Sequence, residues 1–534
     1  MPNASDDLHV WVSGVIEVEV HQQLRQLQRQ QTCGHFAARA RSPWPHQLTM
    51  ARLVARGLRL QRHALIQVPP GGDHRLSYLL PALMWPGPTL ICAPAEVRAE
   101  LLHDLLPFLQ AALKLSKPAR ECDRPLPDFD GVMLLDPLKW LCDRLHAGWP
   151  RALVSIPLIV DGAECLEGWA QQALTVSLTG QHWHQLRLAL PQHADIIQRV
   201  EIQLFQMFSR RPLRRFALHS DEQAMLMSLE ELLARELSPL PTPWGAWLQQ
   251  RSQPDPVGWV DRNLETGQFM LHVAPADAAE VLTEVWSSQP VVIVGEALGA
   301  TKTASHFRQR LGLPDATTLQ FLPDRRDEAI HICVPAAMPV PHSQMFRDRA
   351  IAYLKHLLCE ASGPTIVLVS DRPLQSQIGT VLAAEFGSRV RVNEPYCALR
   401  GICICGWDYW LQHLHQLPAP TLISVVTLPF PSMEEPLVAG RVEHLKGRRQ
   451  DWFRSYLLPV AISTLQRAIG PLRRTNGTLV LLDSRTVSRS YGEQFLDALN
   501  PALSVTETSL LKLMVSADCP EESWSVPTSE FPNT

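Results

Sequence analysis

The chain has 534 residues, of which 46% are hydrophobic, so it is long enough for more than one domain and apolar enough for buried cores. Its formal net charge of −4 excludes a global basic field, and any contact with nucleic acid must come from local arginine or lysine clusters. The N-terminus lacks the pattern of a signal peptide, and no window reaches about eighteen uninterrupted apolar residues. We therefore expect a soluble, cytoplasmic protein that does not enter a membrane.

The first 50 residues predict an N-terminal helical extension. The amphipathic run IEVEVHQQLRQLQRQQ, within residues 8–34, is typical of a surface helix. Gln47 follows a proline and precedes a second helical pattern, MARLVARGLRL. By residue type alone, Gln47 is a solvated loop residue.

The stretch from Ala64 to Leu83 has the layout of a phosphate-binding loop. An apolar strand pattern, ALIQV, ends in Pro-Pro-Gly71-Gly72, and a helical pattern follows. Such a loop needs a lysine for the phosphates and a serine or threonine for magnesium, but His74 and Arg75 occupy those places. Taken by itself, a Gly-Gly pair after an apolar strand is more often an ordinary turn.

Two series of short apolar strand patterns alternate with helical patterns. The first series comprises ALIQV, TLICAP, VMLLDP, LVSIPLIVDG and ALTVSLTG; the second begins near residue 329 and comprises AIHICVP, TIVLVSD, RVRVNEP, GICICGW, LISVVTLPF and TLVLLDS. Continuous Val, Ile and Leu runs separated by helices indicate parallel sheets covered on both faces, hence an α/β fold. Sites in such sheets lie at the carboxyl ends of strands, where Asp161 and the glycine loop fall.

Residues 181–255 change to a helical pattern and contain the densest basic spot in the chain. This spot is the run FSRRPLRRF, with Arg210, Arg211, Arg214 and Arg215 between two phenylalanines. Arginines beside aromatic rings suit single-stranded nucleic acid, because they pair with phosphates and stack on bases. A solvated helix end explains the same run equally well.

Together these segments resemble the DinG/XPD-type superfamily 2 DNA helicases. Val68, Pro69, Gly71 and the run LLPAL (79–83) are similar to their Walker A region, and LIVD (158–161) is similar to their DEAH box. The second series carries the closest likeness, including a motif VI-like run from Gln466 through Gly470. The resemblance spans roughly residues 40–510 and implies two tandem RecA-like parallel-sheet domains with a helical insertion in the first. The implied boundaries are 51–180 plus 256–328, then 329–515, with the insertion at 181–255 and a disordered tail at 516–534.

The resemblance also implies roles for individual residues. Gln47 would contact adenine, and Asp161 would hold magnesium through water. Gly162 stands where the family has its water-activating glutamate, which leaves Glu164 as the substitute base. Pro471 stands where the family has its arginine finger, while Arg474 remains and Arg473 is adjacent. The motif III position falls at residues 295–298, where Glu296 lies. The other implied nucleotide contacts are Gly71, Gly72, His74, Arg75, Gln466 and Gly470.

The cofactors implied by the resemblance are ATP and Mg²⁺, if the protein is active. The family often carries an iron–sulfur cluster on four cysteines, but only Cys92, Cys122 and Cys142 occur between the glycine loop and Asp161. Three irregular thiols cannot supply a set of four, so we predict no cluster.

Three hypotheses for function remain open. The first is a helicase-like protein that binds single-stranded DNA or other nucleic acid but hydrolyses ATP weakly or not at all. The second is a functional ATP-dependent DNA helicase in which His74, Arg75 and Arg473 or Arg474 serve as phosphate ligands and Glu164 as the base. The third is a non-enzymatic scaffold for a protein partner.

Overall fold

The computed structural model describes residues 16–32, 44–71, 74–147, 149–236, 239–299, 301–313, 315–325, 328–341, 343–396, 400–414 and 416–510. The predicted phosphate contact Gly72 and the predicted tail at 516–534 lie outside the described residues.

The secondary structure alternates between strands and helices along most of the chain. The strands are β1 Ala64–Val68, β2 Thr89–Cys92, β3 Ala119–Glu121, β4 Val132–Leu135, β5 Leu158–Asp161, β6 Val176–Leu178, β7 Arg215–Ala217, β8 Pro256–Arg262, β9 Phe269–Pro275, β10 Val291–Glu296, β11 Thr317–Gln320, β12 Ile330–Cys333, β13 Thr365–Leu368, β14 Val390–Val392, β15 Ile402–Cys405, β16 Leu422–Val425, β17 Thr478–Leu481 and β18 Ala502–Ser504. The helices are α1 Ile16–Thr32, α2 Gln47–Leu60, α3 Leu76–Met84, α4 Ala95–Glu100, α5 Leu106–Leu113, α6 Pro137–Cys142, α7 Arg151–Val154, α8 Leu166–Ala173, α9 Gly180–Ala189, α10 Ala194–Ser209, α11 Ser220–Ala234, α12 Thr242–Arg251, α13 Ala279–Ser288, α14 Ser305–Arg310, α15 Gln344–Glu360, α16 Arg372–Phe386, α17 Trp407–Gln412, α18 Pro436–Gly447, α19 Leu458–Ala468, α20 Gly470–Arg473, α21 Arg485–Ser488 and α22 Gly492–Ala498.

The chain forms two compact units, one of Met1–Leu322 with Phe430–Ser463 and one of Pro323–Pro429 with Thr464–Thr534. The first unit contains a seven-stranded parallel sheet in the order β11-β1-β10-β5-β2-β4-β3. Strand β1 is fully buried, and its side chains alternate between two apolar clusters, with Ile66 in one and Leu65 in the other. This arrangement confirms the predicted parallel sheet with both faces covered.

The second unit repeats this architecture with a second seven-stranded parallel sheet. Its order is β14-β15-β13-β16-β17-β12-β18. Its central strands β13, β15, β16 and β17 are buried along their whole length, as continuous apolar runs predict. Two such sheets confirm the predicted α/β class.

The insertion in the first unit carries four helices, α9 to α12, and in addition an antiparallel sheet in the order β6-β9-β8-β7. Three buried tryptophans, Trp183, Trp244 and Trp247, dominate the apolar cluster beneath it. The run ALTVSLTG and the hairpin at 256–275 belong to this sheet and not to the first parallel sheet. The insertion therefore extends from β6 to β9, beyond the predicted 181–255.

Residues 430–463 belong to the first unit, although the sequence boundaries place them within the second domain. Helix α18 packs against β7 and β8, and Gly440 lies where an added Cβ would be 2.3 Å from Val257 Cγ2. The Nδ1 atom of His444 lies 2.8 Å from Asp255 Oδ2, which fixes the same contact. Across the described part of the chain, every helix is too short or too polar to cross a membrane.

Candidate nucleotide-binding site

The glycine loop follows β1 at the carboxyl edge of the first parallel sheet. Gly71 has φ +76°, in the left-handed region that glycine adopts without strain. Its N–H donates a hydrogen bond of 2.9 Å to Glu296 Oε1, at the carboxyl end of the neighbouring strand β10. An amide that would face a phosphate in a phosphate-binding loop is thus bonded to a carboxylate of the protein itself.

Asp161 ends β5 at the same edge and is buried. The Tyr78 hydroxyl donates to its Oδ2 at 2.7 Å, and the Gly162 N–H donates to its Oδ1 at 2.8 Å. His74 Nε2 lies 3.5 Å from Oδ1, and Arg75 Nε lies 3.5 Å from Oδ2. Both carboxylate oxygens therefore already have neighbours from the protein. We call Asp161, His74, Arg75 and Tyr78 the Asp161 cluster.

The electrostatics of the cluster favour an ionised Asp161. Burial raises the pKa of this carboxyl, but the neighbouring His74 ring, the charge of Arg75 and the Tyr78 hydroxyl outweigh it and lower the pKa to about 2. Burial opposes the charge of Arg75, yet Asp161 and the other acidic groups nearby raise its pKa above the usual range. Burial first, and then the Asp161 charge, raises the pKa of Tyr78. The cluster is thus a neutralised ion pair within the protein.

Magnesium does not fit this arrangement. The ion takes carboxylate oxygens together with several waters in octahedral geometry. At Asp161 both oxygens accept hydrogen bonds, and the Arg75 guanidinium, which also pairs with Glu100 at 2.5 Å, lies beside them. A second cation would meet the positive charge of Arg75 at the same carboxylate.

The predicted substitute base, Glu164, is engaged in a backbone contact. Its Oε2 accepts the Glu296 N–H at 3.0 Å, which ties the turn after β5 to the end of β10. Gly162 has φ +82°, and an added Cβ would lie 3.1 Å from both Pro94 and Trp169. A glutamate at position 162, where the resembled helicases have one, would therefore be strained by this positive φ.

Gln47 begins α2 and is buried, in contrast to the solvated loop residue that its type alone suggests. Its Oε1 accepts a hydrogen bond of 3.3 Å from Gln28 of α1. Next to it, Trp44, His46 and Phe321 form an aromatic cluster with ring centroids 5.1 to 5.4 Å apart. The adenine contact of Gln47 stays a prediction.

The motif VI-like residues lie in the second unit. Gln466 donates through Nε2 to the Ala498 carbonyl at 2.7 Å, and Gly470 is buried at the start of α20. Arg473 donates to three backbone carbonyls, those of Glu328, Leu499 and Pro501 at 2.6 to 3.0 Å, and burial lowers its pKa to about 10. Arg473 is therefore a structural tie, while Arg474 is exposed.

The four arginines of the arginine-rich run in the insertion have different surroundings. Arg211 pairs with Glu222 at 2.6 Å and lies over the Phe216 ring at 4.5 Å. Arg215 makes two hydrogen bonds to Asp261, at 2.6 and 2.8 Å. The two remaining arginines of the run, Arg210 and Arg214, are exposed. Two of the four predicted nucleic-acid contacts are thus committed to the fold.

Comparison with known proteins finds similarity to helicases. Residues 419–502 match the helicase C-terminal domain family. The chain is 25% identical over 272 residues to the ATP-dependent DNA helicase YoaA of Haemophilus influenzae, a match that covers 47% of this chain and 42% of that protein. It is 24% identical over 286 residues to the 3'-5' exonuclease DinG of Bacillus subtilis, covering 48% of this chain and 30% of that protein. Over about half of its length the chain is similar to YoaA and DinG proteins, and it carries a match to the helicase C-terminal domain.

Solved structures show the same fold as this chain. A structure titled XPD_Helicase superposes with a TM-score of 0.57 at 13% identity, covering 88% of this chain and all of that one. The structure of S. tokodaii Xpd4 gives a TM-score of 0.55 at 13% identity, covering 85% and 97%. These likenesses confirm two RecA-like domains. The matches to YoaA and DinG span less than half the length of those proteins, so the activity of a whole helicase is not carried over.

Tyr78 and Glu296 are site residues to which the sequence analysis gave no role in the site. Both had a signal, since Tyr78 lies one helical turn beyond His74 and Arg75, and Glu296 is a charged residue at the end of a buried strand. Of the three cysteines considered for a cluster, Cys92 is buried in β2, and Cys122 and Cys142 are partly buried. In the described ranges, no three His, Cys, Asp or Glu side chains are grouped to hold a metal ion.

Proposed function

We propose that this DinG/XPD-type protein binds nucleic acid, acts in the cytoplasm, and hydrolyses ATP weakly or not at all. The observation that carries the proposal is the Asp161 cluster, in which the family's magnesium carboxylate accepts hydrogen bonds from Tyr78 and Gly162 and lies against Arg75. The Glu296 carboxylate holds the Gly71 N–H in the same way. A bound Mg–ATP would have to displace these contacts before it gained its own.

The cost of that displacement can be judged from the pKa. A carboxyl whose pKa is about 2 instead of about 3.9 is stabilised by about 2–3 kcal/mol at neutral pH. Exchanging these contacts for a metal would weaken nucleotide binding by roughly tenfold to a hundredfold before any new interaction is counted. The absent arginine finger lowers the rate further, by roughly 10³ to 10⁵.

The names of YoaA relatives, which describe ATP-dependent DNA helicases, favour the functional helicase as the second candidate. In that case His74 and Arg75 would turn from Asp161 to the phosphates, and Glu164 would release the Glu296 N–H to act as a base. Arg473 would not take part, because its guanidinium is held by three carbonyls.

A steady-state ATPase assay with and without single-stranded DNA separates the two candidates. We expect turnover at background with DNA present, unchanged in His74→Ala and Glu164→Gln. Isothermal titration of ATP with magnesium should give no heat at micromolar protein. Turnover that rises with DNA and is abolished by either substitution establishes the helicase instead.

Fluorescence anisotropy with labelled single strands tests the nucleic-acid part of the proposal. Binding should weaken steeply with salt, because phosphate contacts release counterions. Arg210→Gln with Arg214→Gln should weaken binding if the exposed pair of the insertion contacts the strand, whereas the paired Arg211 and Arg215 serve the fold. Absence of binding in the wild type would leave the protein scaffold as the remaining hypothesis.

A further inference from the structure

Helices α1 and α2 form an antiparallel pair at one side of the first unit. Arg59 near the end of α2 makes an ion pair of 2.7 Å with Glu17 near the start of α1, and Gln28 reaches Gln47 at the other end. The apolar residues of α1 enter the core of the first sheet through Val20, Leu24 and Leu27. The outward faces of both helices are thereby fixed relative to each other.

The outward face is basic although the chain is acidic overall. The two helices contain five arginines and two glutamates, a net charge of +3 in a protein of net charge −4. Arg59 is neutralised by Glu17, and Arg56 is close enough to act on the same carboxyl. Arg25, Arg29 and Arg52 are exposed, and the described ion pairs include none of them. We call these three residues the arginine face.

The positive charges of two of these arginines act on His21 of α1. Burial first, and then the positive charges of Arg25 and Arg52, lowers the pKa of His21. Arginines from both helices therefore contribute to the positive potential at His21. The exposed Glu19 is the one other acidic residue of these helices, and it lies a turn and a half from Arg25 along α1.

The spacing of the arginine face suits a row of phosphates. Arg25 and Arg29 are four residues apart on α1 and so about 6 Å apart along its axis, and packed helices lie about 8–10 Å apart. Guanidinium groups bind phosphate oxygens in pairs of hydrogen bonds. Gln22 and Gln26 add neutral donors on the same exposed side of α1.

The composition of the two helices distinguishes between forms of nucleic acid. Surfaces for single strands rely on aromatic side chains that stack on bases. Neither helix contains a phenylalanine, tyrosine or tryptophan. A surface of arginine and glutamine can pair with phosphates but cannot stack on unpaired bases, so it suits the backbone of a duplex, whose bases stay stacked on one another.

We propose that the arginine face, Arg25, Arg29 and Arg52, binds the phosphate backbone of double-stranded DNA. The proposal rests on the nucleic-acid part of the proposed function and does not depend on whether ATP is hydrolysed. It gives the protein a duplex contact on α1 and α2 that is separate from the exposed arginines of the insertion.

The test is fluorescence anisotropy of the full chain with a labelled duplex over a series of salt concentrations. Replacing all three residues by glutamine should weaken duplex binding at least tenfold at low salt. The slope of log affinity against log salt should fall by about 2.7, since each lost phosphate contact contributes about 0.9. The matching lysine triple variant should bind within about threefold of the wild type, because it keeps the charge.

A control variant removes the same charge elsewhere in the first unit. Arg124, Arg448 and Arg454 are more than half exposed and each pairs with an acidic residue. Glutamine at these three positions should leave duplex binding unchanged. An equal loss in both triple variants would overturn the proposal by showing an effect of net charge.

Three other outcomes have distinct meanings. Unchanged duplex affinity in the arginine-face variant, with single-strand binding intact, overturns the inference and leaves the proposed function standing. Polyglutamate that displaces the duplex with equal potency assigns the face to an acidic protein and also overturns it. A wild-type protein that binds neither duplex nor single strand overturns both the inference and the proposed function.

Discussion

Replacing Asp161 by asparagine should destabilise the first unit, because this carboxylate is a structural anchor. The substitution keeps the shape of the side chain but removes the charge that balances Arg75 and attracts His74. The lowered pKa corresponds to about 2–3 kcal/mol, and breaking a buried pair from one side typically costs about 3–5 kcal/mol. We expect a loss of about 3 kcal/mol at pH 7.

The effect should depend on pH in a defined direction. The folded state lowers the pKa of Asp161, so the stabilisation is complete above about pH 4, where the carboxyl of the unfolded chain is ionised. It is lost as the pH falls from 4 towards 2. The difference in unfolding free energy between the wild type and Asp161→Asn should therefore shrink over this window.

Urea unfolding, monitored by the hydrogen exchange of backbone amides in β1 and β5, measures the unfolding free energy of the first unit. Glu100→Gln is the matched control, because it removes the partly exposed second partner of Arg75 and should cost less than about 1 kcal/mol. If Asp161 were instead an unoccupied magnesium ligand, Asp161→Asn would leave stability unchanged or raise it, because the substitution would remove an unbalanced buried charge. An Asp161→Asn variant as stable as the wild type at pH 7, or more stable, would refute the reasoning.

Three further substitutions test the geometry by urea unfolding. Gly162→Glu, which restores the family's acid, should lower stability by about 1–2 kcal/mol because of its positive φ, and ATPase activity should not appear. Lys117→Met should cost about 2–3 kcal/mol, because Nζ donates to three backbone carbonyls in the last turn of α3 and just after it, whereas the exposed Lys114→Met should change little. Gly440→Ala should cost about 1–3 kcal/mol through its clash with Val257, and Val257→Ala in the same chain should recover part of that loss. If the stability losses of Gly440→Ala and Val257→Ala simply add in the double variant, the contact between these two residues is contradicted.

Much of the fold was predictable because its signals are local. Strand β1 coincides with the run ALIQV, and the predicted apolar runs of the second unit contain β12 to β17. Short or exposed strands escaped notice, among them β3 and β11 at the two edges of the first sheet. Edge strands are half-exposed, so they lack the continuous apolar run that identifies a central one.

The location of the candidate site could be predicted from the sequence, but the contacts between its side chains could not. The carboxyl ends of parallel strands meet at one edge, so the sequence alone brings the loop at Gly71 and Asp161 together. The resemblance also implies that His74, Gly162 and Pro471 stand where those helicases have a lysine, a glutamate and a finger arginine. Whether the replacements bind a ligand or one another depends on side-chain directions from separate strands.

The sequence by itself determined the α/β class, because this class follows from local periodicity. It also determined the order of the motifs and the residue types at each of them, because these are read directly along the chain. The tertiary structure alone decided that Arg75 and Tyr78 lie against Asp161, that Glu296 takes the Gly71 amide, and that residues 430–463 pack with the first unit. Such contacts join residues up to hundreds of positions apart. They depend on how whole sheets and helices pack, which no short stretch of chain encodes.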